Sequence, residues 1–235
     1  MSSIWTIPIL TYHRVGEPKG DHVPTVTPEA FEAQLHFLAR HRYAVWDLPD
    51  LIAPLEKGEP IGRRSTAITF DDGYEETYRL AAPLLRRYGF RATVFVTPND
   101  VGRPGFMTWD QVRSSAQDGL TIGSHTLHHT YLPLAARAQI QEELHESRRR
   151  LEAEIGRPVA LLSYPVGGYT EEVQAIARQS GYRAAFTTNR GVKRLGYDFF
   201  ALRRIKMTER DRYAISMMIK LSGYYDMFRQ IYTPS

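Results

Sequence analysis

The feature that most constrains this chain is an alternation. Short β-branched or apolar runs trade places with helical patterns along almost its whole length. Residues 7–12, 66–70, 92–96, 121–124, 160–164, 184–187 and 202–207 read as strands. Between them the spacing predicts helices over about 28–41, 75–88, 109–118, 134–155, 170–179 and 209–222. Several boundaries have a local cause. Thr27 caps a helix that takes Pro28 in its first turn, and Phe31, Leu35 and Leu38 form one apolar face. Thr108 and Gln111 spell a capping box, and Gly89 and Gly181 stop their helices in a left-handed conformation. Strand and helix in alternation is the signature of a parallel sheet, because parallel neighbours need a crossover. With 235 residues and no repeat or linker, the chain reads as one domain over 1–235. Six or seven β/α units point to a barrel. The count leaves an open doubly wound sheet as the alternative.

Composition removes whole classes of chemistry. There is no cysteine, which excludes disulfides, cysteine zinc sites, thiol catalysis and iron–sulfur clusters. No window approaches the roughly 20 apolar residues of a membrane span. The net charge of +4 invites an anionic partner, but the densest basic run, Arg148-Arg149-Arg150, lies among Glu142, Glu143, Glu146, Glu152 and Glu154. That mixture reads as a solvated helix face, so no nucleic-acid partner is expected. The first ten residues carry no basic region followed by a long apolar core. As written, the expectation is a cytoplasmic protein, or an envelope or secreted one if a leader has been removed.

In a parallel barrel, chemistry sits at the C-terminal ends of the strands. Three polar clusters fall there: Asp71-Asp72, His125 to His129, and Tyr164-Pro165-Val166. Adjacent carboxylates repel and are costly to desolvate unless a cation or strong donors balance them, although an Asp-Asp-Gly turn is also ordinary turn chemistry. The histidines sharpen the reading. His125 and His129, four apart, would share one face of a helical turn and reach one ion, while His128 points elsewhere. One carboxylate from the aspartate pair completes a two-histidine, one-aspartate set suited to Zn²⁺, with Co²⁺, Fe²⁺ or Mn²⁺ as alternatives.

Thr69-Phe70-Asp71-Asp72-Gly73, taken with Ser124-His125-Thr126-Leu127-His128-His129-Thr130-Tyr131-Leu132, resembles the first two motifs of the polysaccharide deacetylases, the NodB-homology or carbohydrate esterase family 4 domain. The resemblance runs from Pro8 through Tyr164-Pro165-Val166-Gly167 to about Met207, most of the chain. It implies a distorted (β/α) barrel of about seven strands. It implies Asp72, His125 and His129 as metal ligands, Asp71 as the catalytic base, and a backbone donor at Val166, beside Tyr164 and Pro165, for the developing oxyanion. The implied reaction is removal of acetyl groups from N-acetylhexosamine units of a glycan by a metal-dependent hydrolase. An O-acetyl esterase, a small-molecule C–N amidase or a non-catalytic glycan-binding protein are the alternatives.

Three departures from the family pattern stand out. Ser163 occupies the place of an arginine that orients the base in many members, and Val166 replaces an aromatic. Arg204 is the expected substitute for that arginine. No histidine follows His145, so the late histidine that protonates the leaving amine is missing. His13, at the end of the first strand, is the candidate to supply or relay that proton. Tyr74, Trp109, Tyr164 and Tyr169 are candidates to stack on sugar faces. The oligomeric state is open, since 213–232 reads equally as core, dimer face or partner helix.

Overall fold

The computed structural model describes residues 6–189 and 197–225. The chain opens with β1 (Ile9–Tyr12), then β2 (Arg14–Val15) and β3 (Thr25–Val26), which pair with each other, and α1 (Pro28–Arg40). β4 (Ala44–Trp46), α2 (Leu48–Glu56) and β5 (Ser65–Phe70) follow. A π-helical turn at Thr77–Ala81 runs into α3 (Ala82–Arg87), and β6 (Thr93–Val96) leads to α4 (Trp109–Gln117). β7 (Thr121–Ser124) precedes α5 (Arg137–Ile155), β8 (Leu161–Ser163) precedes α6 (Glu171–Gln179), and β9 (Ala184–Thr187) comes next. The described chain ends with β10 (Leu202–Arg203), β11 (Ile205–Lys206) and α7 (Ala214–Lys220).

All the sheet pairings are parallel. The order runs β10-β9-β8-β7-β6-β5-β1-β11, with β4 added beside the start of β5. β10 and β11 are two halves of one stretch, split at Arg204: the first pairs with β9 and the second with β1. The split strand closes the ring. This is the distorted barrel of about seven strand positions, in one domain.

Side chains alternate along each strand, as a pleated sheet requires. Ile9, Ala67, Phe95, Leu161, Ala184 and Phe186 belong to an inner cluster, whereas Leu10, Ile68, Val94, Leu162 and Ala185 join the layer under the helices. Leu48, Leu51 and Ile52 of α2 pack into the inner cluster and plug the N-terminal end of the barrel. The interior is therefore filled, and the other end is left for chemistry. At Gly123 a side chain has no room, since a Cβ there would lie 2.5 Å from the Phe95 ring.

The structure corrects several expectations. β4 and α2 lie in a stretch whose sequence suggested no element, because Pro49 and Pro54 and a three-residue strand hide the pattern. The helix expected over 134–155 is a 3₁₀ turn at Leu132–Leu134 followed by α5, separated by the extended Ala135 and Ala136. The helix expected over 209–222 is a 3₁₀ turn (Glu209–Arg212) and then α7. Its break is held by Asp211, whose buried carboxylate accepts from the Thr208 amide and hydroxyl and from Lys220 Nζ. Of the stretch 213–232, everything after Tyr225 lies outside the described residues. The three arginines at 148–150 bond to Glu152, Glu146 and Asn99 respectively. Among the described residues, no helix is long and apolar enough to cross a membrane.

Candidate metal centre

Four loops at the C-terminal rim carry the candidate residues, and backbone conformation aims them. Among the described residues, five non-glycines have positive φ: Arg42, Asp72, Thr126, His129 and Val166. Four of the five belong to the clusters that the sequence singled out. Such conformations cost of order 1–3 kcal/mol each and persist where the surroundings impose them.

At the end of β5 the aspartates separate. Asp71 continues the sheet, its amide donating to the Tyr12 carbonyl at 2.9 Å, and its side chain points inward and is buried. Asp72 takes φ 71° and is followed by Gly73 at φ 80°, which turns its carboxylate toward the rim. Asp71 is gripped by Arg204, with Nη1 on Oδ1 and Nη2 on Oδ2, both at 2.7 Å. Arg204 reaches this position because it interrupts the last strand, its amide donating to the Thr187 carbonyl. It also donates to Ser163 Oγ at 2.7 Å and Thr69 Oγ1 at 3.2 Å, and its guanidinium lies 5.2 Å from the centre of the Phe95 ring. Ser163 thus serves as an acceptor for the arginine that comes from elsewhere in the chain. Burial alone would raise the Asp71 carboxyl, but Arg204 and the nearby imidazoles outweigh it and hold the group well below the usual carboxylate range.

Asp72 meets two imidazoles. Its Oδ1 lies 3.3 Å from His125 Nε2 and 3.4 Å from His129 Nε2, and the ligand atoms of this trio all lie within 4.8 Å of one another. His125 Nδ1 sits 2.8 Å from the Ser163 carbonyl. A carbonyl only accepts, so Nδ1 carries the proton, and in the neutral ring that leaves the Nε2 lone pair facing Asp72. Asp72 Oδ1 is buried without a hydrogen-bond partner. A lone-pair nitrogen turned toward an unpartnered carboxylate oxygen is the donor set of a cation site, and it fits a divalent metal.

The helical turn expected for the histidines is not what brings them together. His125 to Thr130 form a loop in which Thr126 and His129 are both left-handed, and Thr126 Oγ1 accepts from the Thr130 amide at 3.2 Å. The rings meet edge to face, 4.9 Å apart. His128 does point away, its Nδ1 lying 2.8 Å from Glu143 Oε1.

His13 lies between β1 and β2, where burial lowers its pKa against the opposing pull of the Asp71 and Asp72 charges. Val166 is 67% exposed, at φ 58°. The turn's backbone hydrogen bonds are donated by Gly167 to Tyr164 and by Gly168 to Pro165, so the Val166 amide has no protein acceptor among the described residues. Gly167 is obligatory: φ is 80°, and a Cβ would come within 2.6 Å of Thr188 Oγ1.

The aromatic candidates fare unevenly. Tyr164 and Pro165 are buried, and the Tyr164 hydroxyl donates to the Phe200 carbonyl at 3.0 Å. The Tyr164 side chain is therefore core and offers no face on which a sugar could stack. Tyr169 stacks on it at 5.3 Å. Tyr74 is buried beside Phe106 and under Arg14, with burial and then the Asp72 charge raising its hydroxyl far above the usual value. Trp109 lies partly buried against the core with Arg150 over its ring. Glu143, expected on a solvated helix face, is instead buried on the core stripe of α5 with Ile140, Leu144, Ser147 and Leu151, because loop amides meet its carboxylate there.

The sequence model of the polysaccharide deacetylase family matches residues 58–185. The YxkH protein of Bacillus subtilis (strain 168) is 31% identical over 202 residues, covering 86% of this chain and 71% of the relative. The poly-beta-1,6-N-acetyl-D-glucosamine N-deacetylase of Staphylococcus aureus (strain MSSA476) is 25% identical over 177 residues, 69% of this chain, which spans 61% of that relative's length. Among solved structures, the Streptococcus pyogenes deacetylase PplD in complex with acetate superposes with a TM-score of 0.80 at 25% identity, covering 86% of this chain and 92% of that one. A parallel barrel closed by a split strand, with its aspartate pair and histidine loop inside the matched segment, places this chain in the polysaccharide deacetylase family, the NodB-homology or carbohydrate esterase family 4 domain.

Proposed function

We propose that this chain is a metal-dependent hydrolase that removes the acetyl group from N-acetylhexosamine units of a glycan. The observation that carries the reading is the buried, unpartnered Asp72 Oδ1 facing the Nε2 atoms of His125 and His129. Those three residues would hold the ion, and the borderline donor set suits Zn²⁺, with Co²⁺, Fe²⁺ or Mn²⁺ also admissible. When bound, such an ion supplies Lewis-acid polarisation of an acetyl carbonyl and lowers the pKa of water.

The remaining work falls to the chain itself. Asp71 stays ionised because Arg204 neutralises it, so it is ready to accept a proton at any pH near neutrality. Arg204 is a positioning residue: its buried fork fixes both carboxylate oxygens of Asp71. The same pairing makes Asp71 a weak base by itself. The Val166 amide, turned out of the turn with no protein acceptor, is the donor for the oxyanion, a role that needs no particular side chain. His13, whose pKa burial lowers, enters as a neutral imidazole and so acts as a relay, handing to the leaving amine the proton that Asp71 accepts rather than holding one of its own.

The relative from Staphylococcus aureus supports an N-acetylglucosamine polymer as the substrate class. The test is acetate release by zinc-reconstituted protein from N-acetylglucosamine oligomers and, in parallel, from O-acetylated xylo-oligosaccharides. Faster release from the amide substrate supports the reading. Release from the ester alone replaces it with an O-acetyl esterase, and binding without release from either replaces it with a glycan-binding protein.

A further inference from the structure

Glu143 stands in the middle of α5 on the face turned to the core, and it is buried. A carboxylate there is costly unless donors surround it. Four do. Oε2 accepts from the Leu127 amide at 2.8 Å and the His128 amide at 2.9 Å, and Oε1 accepts from Thr130 Oγ1 at 2.7 Å and pairs with His128 Nδ1 at 2.8 Å. Every donor belongs to residues 127–130, the segment that separates and follows the two facing histidines.

Two weaker bonds also reach that segment: the Asn99 amide donates to the Leu127 carbonyl, and the Thr130 amide to Thr126 Oγ1, both at 3.2 Å. It is irregular, with Thr126 just before it and His129 within it in strained left-handed conformations. Two successive amides pointing to one side need an acceptor, and an anion on the neighbouring helix provides it. The sequence poses a second problem. Three histidines in five residues offer three possible ligand pairs, and only one of them, with Asp72, forms the compact trio seen here. The carboxylate bonded to His128 Nδ1 takes the spare imidazole out of the competition.

We propose that Glu143 is a positioning residue that selects His125 and His129 as the ligand pair: its carboxylate shapes residues 127–130 and tethers His128 away from Asp72. The inference rests on the metal-site reading above, and it adds a residue that touches neither ion nor substrate.

The test measures zinc affinity of the folded full chain by competition with a chromogenic chelator at 25 °C, beside the melting temperature of the metal-free protein. Glu143→Gln keeps the shape but presents one acceptor and one amino group to four donors. We expect its zinc affinity to fall about 10–100-fold. A purely structural role would lower melting alone and leave affinity unchanged. Thr130→Val removes a single donor and decides the matter if Glu143→Gln does not fold; a several-fold loss is expected. Wild-type affinity in every variant that folds overturns the inference while leaving the metal site intact. A wild type that binds no more zinc than Asp72→Ala overturns the metal reading, and this inference with it.

Discussion

Asp71 and Asp72 are neighbours in sequence with opposite surroundings. Asp71 is held by two parallel bonds from Arg204, while Asp72 Oδ1 has no donor. The first is a neutralised pair and the second an unfilled coordination position, and the difference arises from one left-handed residue. Removing one partner of a buried pair leaves an uncompensated charge, so Arg204→Met should destabilise the protein by about 3–5 kcal/mol in urea unfolding. The pH dependence has a definite sign. The folded pKa of Asp71 is depressed, so its stabilisation is present above the unfolded value of about 4 and is lost as pH falls below it. Wild-type stability should therefore fall more steeply below pH 4 than that of Asp71→Asn; equal slopes would contradict the pairing. The two aspartates and the histidines were legible in sequence because they cluster at strand ends. Glu143 was not, because composition cannot separate a buried glutamate from Glu142 and Glu146 on the same helix.

Elements were legible where a cap or a strict period marked them. The capping box at Thr108 and the strands Thr121–Ser124 and Ala184–Thr187 stand where the sequence put them. Loop conformation was hidden. Nothing local in the histidine run announces left-handed residues at Thr126 and His129, since a tertiary partner on α5 imposes that shape. The turn after β8 makes a testable case. Val166 sits at φ 58° with its side chain largely in solvent. At an ordinary position a change to glycine weakens a fold by roughly 0.5–1 kcal/mol. Here relief of strain opposes that loss, so Val166→Gly should range from neutral to about 1 kcal/mol more stable in thermal unfolding. Acetate release should survive, because the amide remains. A clear loss of stability would show that the valine side chain holds the turn.

At the scale of the whole molecule, closure and chemistry share one residue. The ring closes where β10 ends and β11 begins, and the residue between them, Arg204, holds the buried carboxylate. α2 seals the opposite end, which leaves one accessible rim. The sequence conveyed the alternating plan but not the plug, because two prolines obscured α2. An ion bound by loops after β5 and β7 ties together distant parts of the chain. A ligand specific to the folded state stabilises by about 4 kcal/mol at a thousandfold excess over Kd. Chelation should accordingly lower the Tm of the zinc-loaded protein, and Asp72→Ala should show no such drop. The central claim is that a metal held by Asp72, His125 and His129 acts together with Asp71 on an acetyl group. The most direct measurement is acetate release from N-acetylglucosamine oligomers by wild type and Asp71→Asn, each with its zinc content determined. The account predicts acetate from the wild type and a loss of at least about a hundredfold in the variant at equal zinc, in the range expected for a general base. Equal release from both would contradict it.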